Sequence, residues 1–471
     1  MSTEPPTRRA HGRRRRGRAF AGAFAVVVGV LVVLGLAGAA ATVAQGPRVT
    51  DVQVDPAAAA EASGSRLILT TTQSLAEVDP SQVTVTPATP FAVDTSGRSV
   101  GVRFALPLWD DTEYTVVIDR VEGLGGGPTA TLTQTFRTPA AQVELLQRSA
   151  DGDDAILRTD LSGRNAVAVF THPHIEDFRA TATHLVMSVR TADDRAGLIM
   201  TDLDGSDPRE LPLPGEGYIS NLQSADRGDV IGYTFTDAGL GADGGRESEL
   251  FTASLKDPDA APRPIVVDGA DPSVGDWRFV PDTDSILLLP FDGSLLLTGP
   301  EGEGATTLGT ALAIEGIARG SSEGVIERVD GMTTIDLTDA TEAPLVAPTD
   351  DLGPVTTVTP LPDGSTLRSA AVLADDGTPT GRTAISHVGP EGAARLLTEI
   401  PETDAVLQVC VSPSARYAAV LVAPDAVSNP YDTYQLPLPE RAETRVLEIA
   451  DGAEVVALTG SAISWCQVPP G

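Results

Sequence analysis

The chain has 471 residues, 65 acidic against 33 basic side chains, 41% hydrophobic and 4% aromatic content, 46 Gly and 36 Pro. That apolar content excludes wholesale disorder, and the length admits two or three domains rich in loops. Seven Arg and one Glu lie in Met1–Arg18, so the rest carries 26 basic and 64 acidic groups, a net −38 that makes nucleic acid a poor partner for the main body.

Residues 1–18 read as a basic cytoplasmic tail. Residues 19–44 follow as 26 residues without a charge, rich in Val, Leu and Ala, directly after Arg13–Arg16 and Arg18. A helix of that length rises about 39 Å, more than the roughly 30 Å hydrocarbon core, so the segment predicts a single transmembrane helix. A cleaved secretory signal stays open, because small residues at Thr42 and Ala44, or Ala39 and Ala41, suit processing, although signal cores run only about 7–15 apolar residues. The Arg cluster sets the orientation: N-terminus cytoplasmic, everything beyond Gln45 extracytoplasmic.

Between residues 47 and 138 the pattern changes to short alternating runs rich in β-branched residues: VTDVQV, RLILTTT, QVTVTP, SVGVRFAL, EYTVVIDRV and TATLTQTFRT. Six or seven strands in about 90 residues predict a small β-sandwich. The opening Val49–Val54 strand, Leu106-x-Leu108 leading to Thr112-x-Tyr114-x-Val116, the turn Gly123–Gly127 and the closing Phe136-Arg137-Thr138 resemble bacterial Ig-like domains of the surface-layer (SbsA) type. The resemblance implies a spacer or adhesion module. Pro139 to Gln142 reads as a short linker.

Residues 143–471 repeat. A strand, a polar turn and another strand recur seven times, as in AILRTDLSGRNAVAVF, LIMTDLDGSDPRELPL and TRVLEIADGAEVVALT, with further strand pairs between, such as FVPDTDSILLL and CVSPSARYAAVLV. Four strands per unit predict a β-propeller blade. The Pro-Asp and Pro-Ser turns and the strand ending in Asp-x-x-Gly resemble TolB-like and WD40-like propellers; Trp277-Arg-Phe-Val-Pro281-Asp282 is the fullest copy. The whole chain therefore reads as all-β after its single N-terminal helix: a sandwich, then a seven-bladed propeller, with six or eight blades as alternatives. Ala462–Val468, with Trp465-Cys466-x-x-Pro469 echoing Val409-Cys410-x-x-Pro413, is expected to return as a strand that completes the first blade and leaves no open edge.

Cys410 and Cys466, the only cysteines, fall at equivalent places on neighbouring inner strands and make a candidate disulfide in an oxidising space; two buried thiols are the alternative. Four other strings lack their context. Gly320-Ser-Ser322-Glu-Gly324 imitates a nucleophile elbow between two short strands, not at a strand-to-helix turn. Gly239-x-Gly241-x-x-Gly244 imitates a dinucleotide fingerprint but precedes a strand. Asp202-x-Asp204-Gly205-x-Asp207 and Asp151-Gly152-Asp153-Asp154 are fragments of calcium loops without the distal Glu, and read as tight turns, with weak Ca²⁺ binding left open. His172-Pro-His174 reads as two solvated imidazoles in a loop, and His184 and His387 as sheet residues. No catalytic residue, metal site or cofactor is assigned.

Pro424–Glu443 interrupts the last repeat with a long loop holding Tyr431 and Tyr434 in an aromatic-poor chain. Tyr supplies contact area at low rotamer cost, so Tyr431, Asp432 and Tyr434, with His172 and His174 on the same loop face, form the candidate ligand-binding set. A loop held only by its own packing explains the insertion equally well. The reading that follows is a membrane-anchored extracytoplasmic scaffold binding a protein or cell-envelope ligand. The alternative is a propeller hydrolase or lyase using channel carboxylates, because fold alone does not separate the two.

Overall fold

The computed structural model describes residues 20, 22–35, 45–225, 229–241 and 244–470. The expected transmembrane segment falls partly outside them: residues 1–19, 21 and 36–44 are not described, and residues 20 and 22–35 are helical. Among the described residues no helix is long and apolar enough to cross a membrane.

By their contacts the described residues fall into two units. The smaller has two antiparallel sheets. One orders Val49–Gln53, Arg66–Thr71, Ser99–Phe104 and Phe91–Ser96; the other orders Val83–Thr86, Glu113–Val121 and Ala130–Arg137. Alternation sends Leu67 and Leu69, Val83 and Val85, and Tyr114, Val116 and Ile118 inward. Phe136 stands with its ring centroid 6.2 Å from Phe104 and 5.9 Å from Tyr114.

The larger unit contains Thr138–Gly471 and also Ala57–Gly64 and Leu106–Thr112, two stretches that interrupt the smaller unit in sequence. Leu108 N–H donates to Ala59 O at 2.7 Å, joining these stretches, and Arg416 donates to Asp110 O at 2.9 Å.

Among its described residues lie seven consecutive antiparallel sheets. Six are four-stranded meanders whose first strands are Ile175–Ala180, Gly217–Ser224, Val274–Phe279, Ala313–Ile317, Val355–Pro360 and Ala405–Val411. The first sheet has three strands: Gln142–Gln147, Asp154–Asp160 and Val167–His172. Apolar faces of neighbouring sheets meet, so cores form between sheets. Val186 and Met200 meet Tyr233 and Phe235 between the second and third. Leu250 meets Trp277 and Leu288 between the third and fourth. Leu145 shares a core with Tyr417, Val446 and Trp465, which packs the seventh sheet on the first and closes a β-propeller.

The closure differs from the expected strand over Ala462–Val468. Ser461 and Leu146 exchange backbone hydrogen bonds at 2.8 and 2.9 Å, and Ser464 N–H donates to Glu144 O at 2.9 Å. No ladder continues. Ala462 is in the left-handed region at φ 48°, and Cys466 N–H folds back to Ile463 O, so the chain turns away from the edge. Cys410 and Cys466 are disulfide-bonded, their Cα atoms 5.4 Å apart.

Candidate functional site

In a four-stranded meander the turns between second and third strands emerge on the same face as the crossings from one sheet to the next. That face holds the Pro424–Glu443 loop. Asn429, 4% exposed, closes the loop base: its Nδ2 donates to Arg441 O at 2.7 Å, and Arg441 N–H donates to its Oδ1 at 3.1 Å. The loop then reaches over the first two sheets. Tyr434 OH donates to the Asp154 carboxylate at 2.8 Å, and its ring stacks on His174 with centroids 3.8 Å apart. Arg148 binds the Asp432 carboxylate at 2.7 Å and Leu436 O at 2.9 Å. Glu176 receives the N–H groups of Gln435 and Leu436, both at 3.2 Å, together with His174 Nε2 at 2.8 Å and Arg190 Nη2 at 2.7 Å.

The electrostatics agree with a strap. Burial pushes the Glu176 carboxyl up, but the Gln435 N–H, His174, the Leu436 N–H and Arg190 outweigh it and bring its pKa below the ordinary glutamate value. Burial and the Asp154 carboxylate raise the Tyr434 phenol, which therefore stays a donor at neutral pH. Of the five candidate binding residues, the structure brings Asp432, Tyr434 and His174 together and turns them inward. His172 serves its own turn, its Nδ1 accepting the His174 N–H at 3.1 Å. Tyr431 alone is exposed, at 59%. Composition did not mark Arg148, Asp154 and Arg190 as partners of the loop, because nothing local to them signals it.

The channel shows a second regularity. The first strand of each of the six four-stranded sheets carries a register shift, for example between Val274 and Asp276 and between Val355 and Thr357. Such bulges bend a strand and re-aim the side chains that follow. Around the channel such side chains bond to the backbone of the next sheet or, in the case of Gln408, of the C-terminal segment. Gln223 Nε2 donates to Trp277 O at 2.7 Å, and Arg278 Nη2 to Ile314 O at 3.0 Å. Glu315 Oε2 accepts the Val358 N–H at 2.8 Å, Thr359 Oγ1 donates to Val409 O at 3.1 Å, and Gln408 Nε2 donates to Val468 O at 2.9 Å. Burial raises the Glu315 carboxyl, against the Val358 N–H. A cavity of about 120 Å³ lies beside Arg278, Glu315, Gln408 and Trp465. On the opposite face from the strap, a larger cavity of about 450 Å³ is lined by Glu144, Arg158, Arg319, Tyr417 and Ser464 among others. There Arg158 pairs with Glu144 at 2.8 Å. Sequence reading singled out neither cavity.

The remaining motifs lie in turns and strands. Ser322 Oγ donates to Asp336 at 3.1 Å in a strand-to-strand turn. The Gly239–Gly244 stretch follows Asp237, which binds Arg246 at 2.7 Å; residues 242 and 243 lie outside the described residues. Asp204 accepts the Ser206 N–H at 3.0 Å, and Asp154 accepts the Ile175 N–H at 2.7 Å. His387 Nε2 lies 3.0 Å from Ser365 Oγ, its pKa lowered by burial. His184 Nδ1 lies 2.7 Å from Thr183 Oγ1. Among the described residues no group of three or more His, Cys, Asp or Glu could hold a metal ion.

Inward alternation, bulged first strands and closure of the seventh sheet on the first define the larger unit as a β-propeller. No family model matches the chain, and no curated protein matches its sequence. Among solved structures, the chain is similar at 14% identity to the Cps50 (Swd1) β-propeller domain from Myceliophteria thermophila, over 61% of this chain and 87% of that one, with a TM-score of 0.39. It is also similar at 14% identity to the putative TolB from Agrobacterium tumefaciens, over 68% of this chain and 90% of that one, with a TM-score of 0.34.

Proposed function

We propose that this protein is a membrane-anchored extracytoplasmic binding scaffold. Its N-terminal segment holds it in the membrane with the basic tail in the cytoplasm. The Ig-like sandwich acts as a spacer, and the seven-bladed propeller offers its loop face to a protein or cell-envelope ligand. One observation carries the reading: the polar channel side chains Gln223, Arg278, Glu315 and Thr359 are each bonded to the backbone of the next sheet, and Gln408 Nε2 to Val468 O of the C-terminal segment, which is the work of a scaffold. Chemistry in the channel would require groups free to meet a substrate.

A second reading has one observation in its favour. Glu315, a carboxyl held above its ordinary pKa by burial beside a cavity with Arg278, suits a general acid in a hydrolase or lyase. Photo-cross-linkers placed in the full chain at Leu240 or Tyr431 on the loop face, and at Thr181 or Ser414 on the opposite face, separate the two. Protein cross-links from the loop face support the scaffold. Absence of such cross-links, with turnover of envelope material that Glu315→Gln abolishes, would replace it with the enzyme.

A further inference from the structure

Three neighbouring loops on the strap-bearing face carry large apolar side chains into solvent. Phe291 is 62% exposed in the turn between the second and third strands of the fourth sheet. Leu312 is 58% exposed in the crossing to the fifth sheet, and Val329 is 88% exposed in that sheet's own turn. Backbone hydrogen bonds join the loops into one ridge: Ala311 N–H donates to Gly293 O at 2.9 Å, and Leu312 N–H to Glu327 O at 2.8 Å. The Phe291 ring lies against Gly275, where a Cβ would sit 3.3 Å from the ring edge. Single exposed apolar residues are ordinary on a protein surface; several on one hydrogen-bonded ridge mark an interaction site.

Acidic residues interleave with these tips: Asp292 follows Phe291, and Glu327 and Asp330 flank the Val329 turn. Arg328 is the one base in these loops. It is committed to Glu342, to Thr310 O and, at 2.8 Å, to Leu308 O. The ridge therefore presents apolar tips inside a rim of carboxylates.

We propose that this ridge docks a protein segment whose apolar side chains are flanked by Arg or Lys. The proposal rests on the loop face being the binding face, and adds the place and the partner's chemistry. Phe291, Leu312 and Val329 supply the desolvated contact, while Asp292, Glu327 and Asp330 attract basic flanks and repel acidic ones. The attraction is screened by salt and the apolar contact is not, so binding weakens with ionic strength without vanishing.

The test uses the purified full chain and three synthetic peptides of equal length, alternating Leu–Arg, Leu–Glu or Gly–Arg, read by fluorescence anisotropy. The Leu–Arg peptide is expected to bind, and the other two to bind at least about tenfold more weakly. Phe291→Ser with Val329→Ser, and separately Glu327→Gln with Asp330→Asn, are each expected to weaken it about tenfold. Asp375→Asn with Asp376→Asn, on the same face of the sixth sheet, controls for bulk charge and leaves binding unchanged. Failure of the Leu–Arg peptide to bind, equal binding by the ridge variants, or equal binding of Gly–Arg overturns the proposal. Loop-face cross-links that persist in the ridge variants sink the ridge alone; their absence in the unmodified chain sinks the scaffold reading itself.

Discussion

Arg148 and Tyr434 face each other across the joint of the propeller, the guanidinium carbon 4.1 Å from the ring centroid, while the same guanidinium holds Asp432 at 2.7 Å. One cation thus binds an aromatic face, a carboxylate and the Leu436 carbonyl of a loop that leaves and re-enters the seventh sheet and reaches over the first two. The Arg148 side chain is only 10% exposed, so its removal strands a largely buried carboxylate. Arg148→Ala is expected to lower unfolding free energy by about 3 kcal/mol, measured by urea denaturation. Tyr434→Phe, which loses only the hydroxyl to Asp154, is expected to cost about 1 kcal/mol. Tyr434→Ala, if it costs no more than Tyr434→Phe, would show that the stacked ring contributes nothing beyond its hydroxyl.

The strap carries its own pH dependence. The Glu176 pKa is lower folded than unfolded, so its contribution is present above the ordinary glutamate value of about 4.3 and is lost as pH falls through the still lower folded value. Proteolytic cleavage within Pro424–Glu443 is expected to rise as the medium is acidified below about pH 4, with an acid-stable protease as the probe. Glu176→Gln, which keeps the shape and removes the titration, should make cleavage at neutral pH faster and its pH profile flatter. A profile identical to that of the unmodified chain removes Glu176 from the latch.

The disulfide and the strap guard the same joint from different places. Cys410 and Cys466 close a loop of 56 positions. The chain-entropy model assigns such a loop on the order of 4 kcal/mol. Cys410→Ser with Cys466→Ser is expected to lower stability by about that amount, and a reductant should have no further effect on the double variant. A double variant as stable as the parent would mean that the shared core of Leu145, Tyr417 and Trp465 closes the wheel unaided.

Packing between sheets is tested most simply at Gly232. A Cβ there would fall 2.4 Å from the Trp277 ring of the next sheet, and Trp277 is fully buried. Neither partner has room to yield, so Gly232→Ala is expected to destabilise by roughly 1–3 kcal/mol through overpacking. Gly232→Ala with Trp277→Phe should recover part of the loss, as a double-mutant cycle would show.

What the amino-acid order determined by itself was the repeating part. Alternation in AILRTD, and the Pro-Asp and Asp-Gly turns, specify meanders because each strand pairs with one only a few residues away, as Ile286–Pro290 does with Ser294–Thr298. The matching contexts of Cys410 and Cys466 follow from the same local rules. What only the tertiary structure decided joins distant residues. Tyr434 meets Asp154 across 280 positions, an anchorage of the loop that its composition does not show. A left-handed Ala462 reduces the expected closing strand to a short edge contact. Phe291, Leu312 and Val329 form a ridge only because successive sheets stack side by side. Strand pairing is written in short-range pattern, whereas the partner of a buried charge or an exposed tip depends on which loops the closed ring brings to one face.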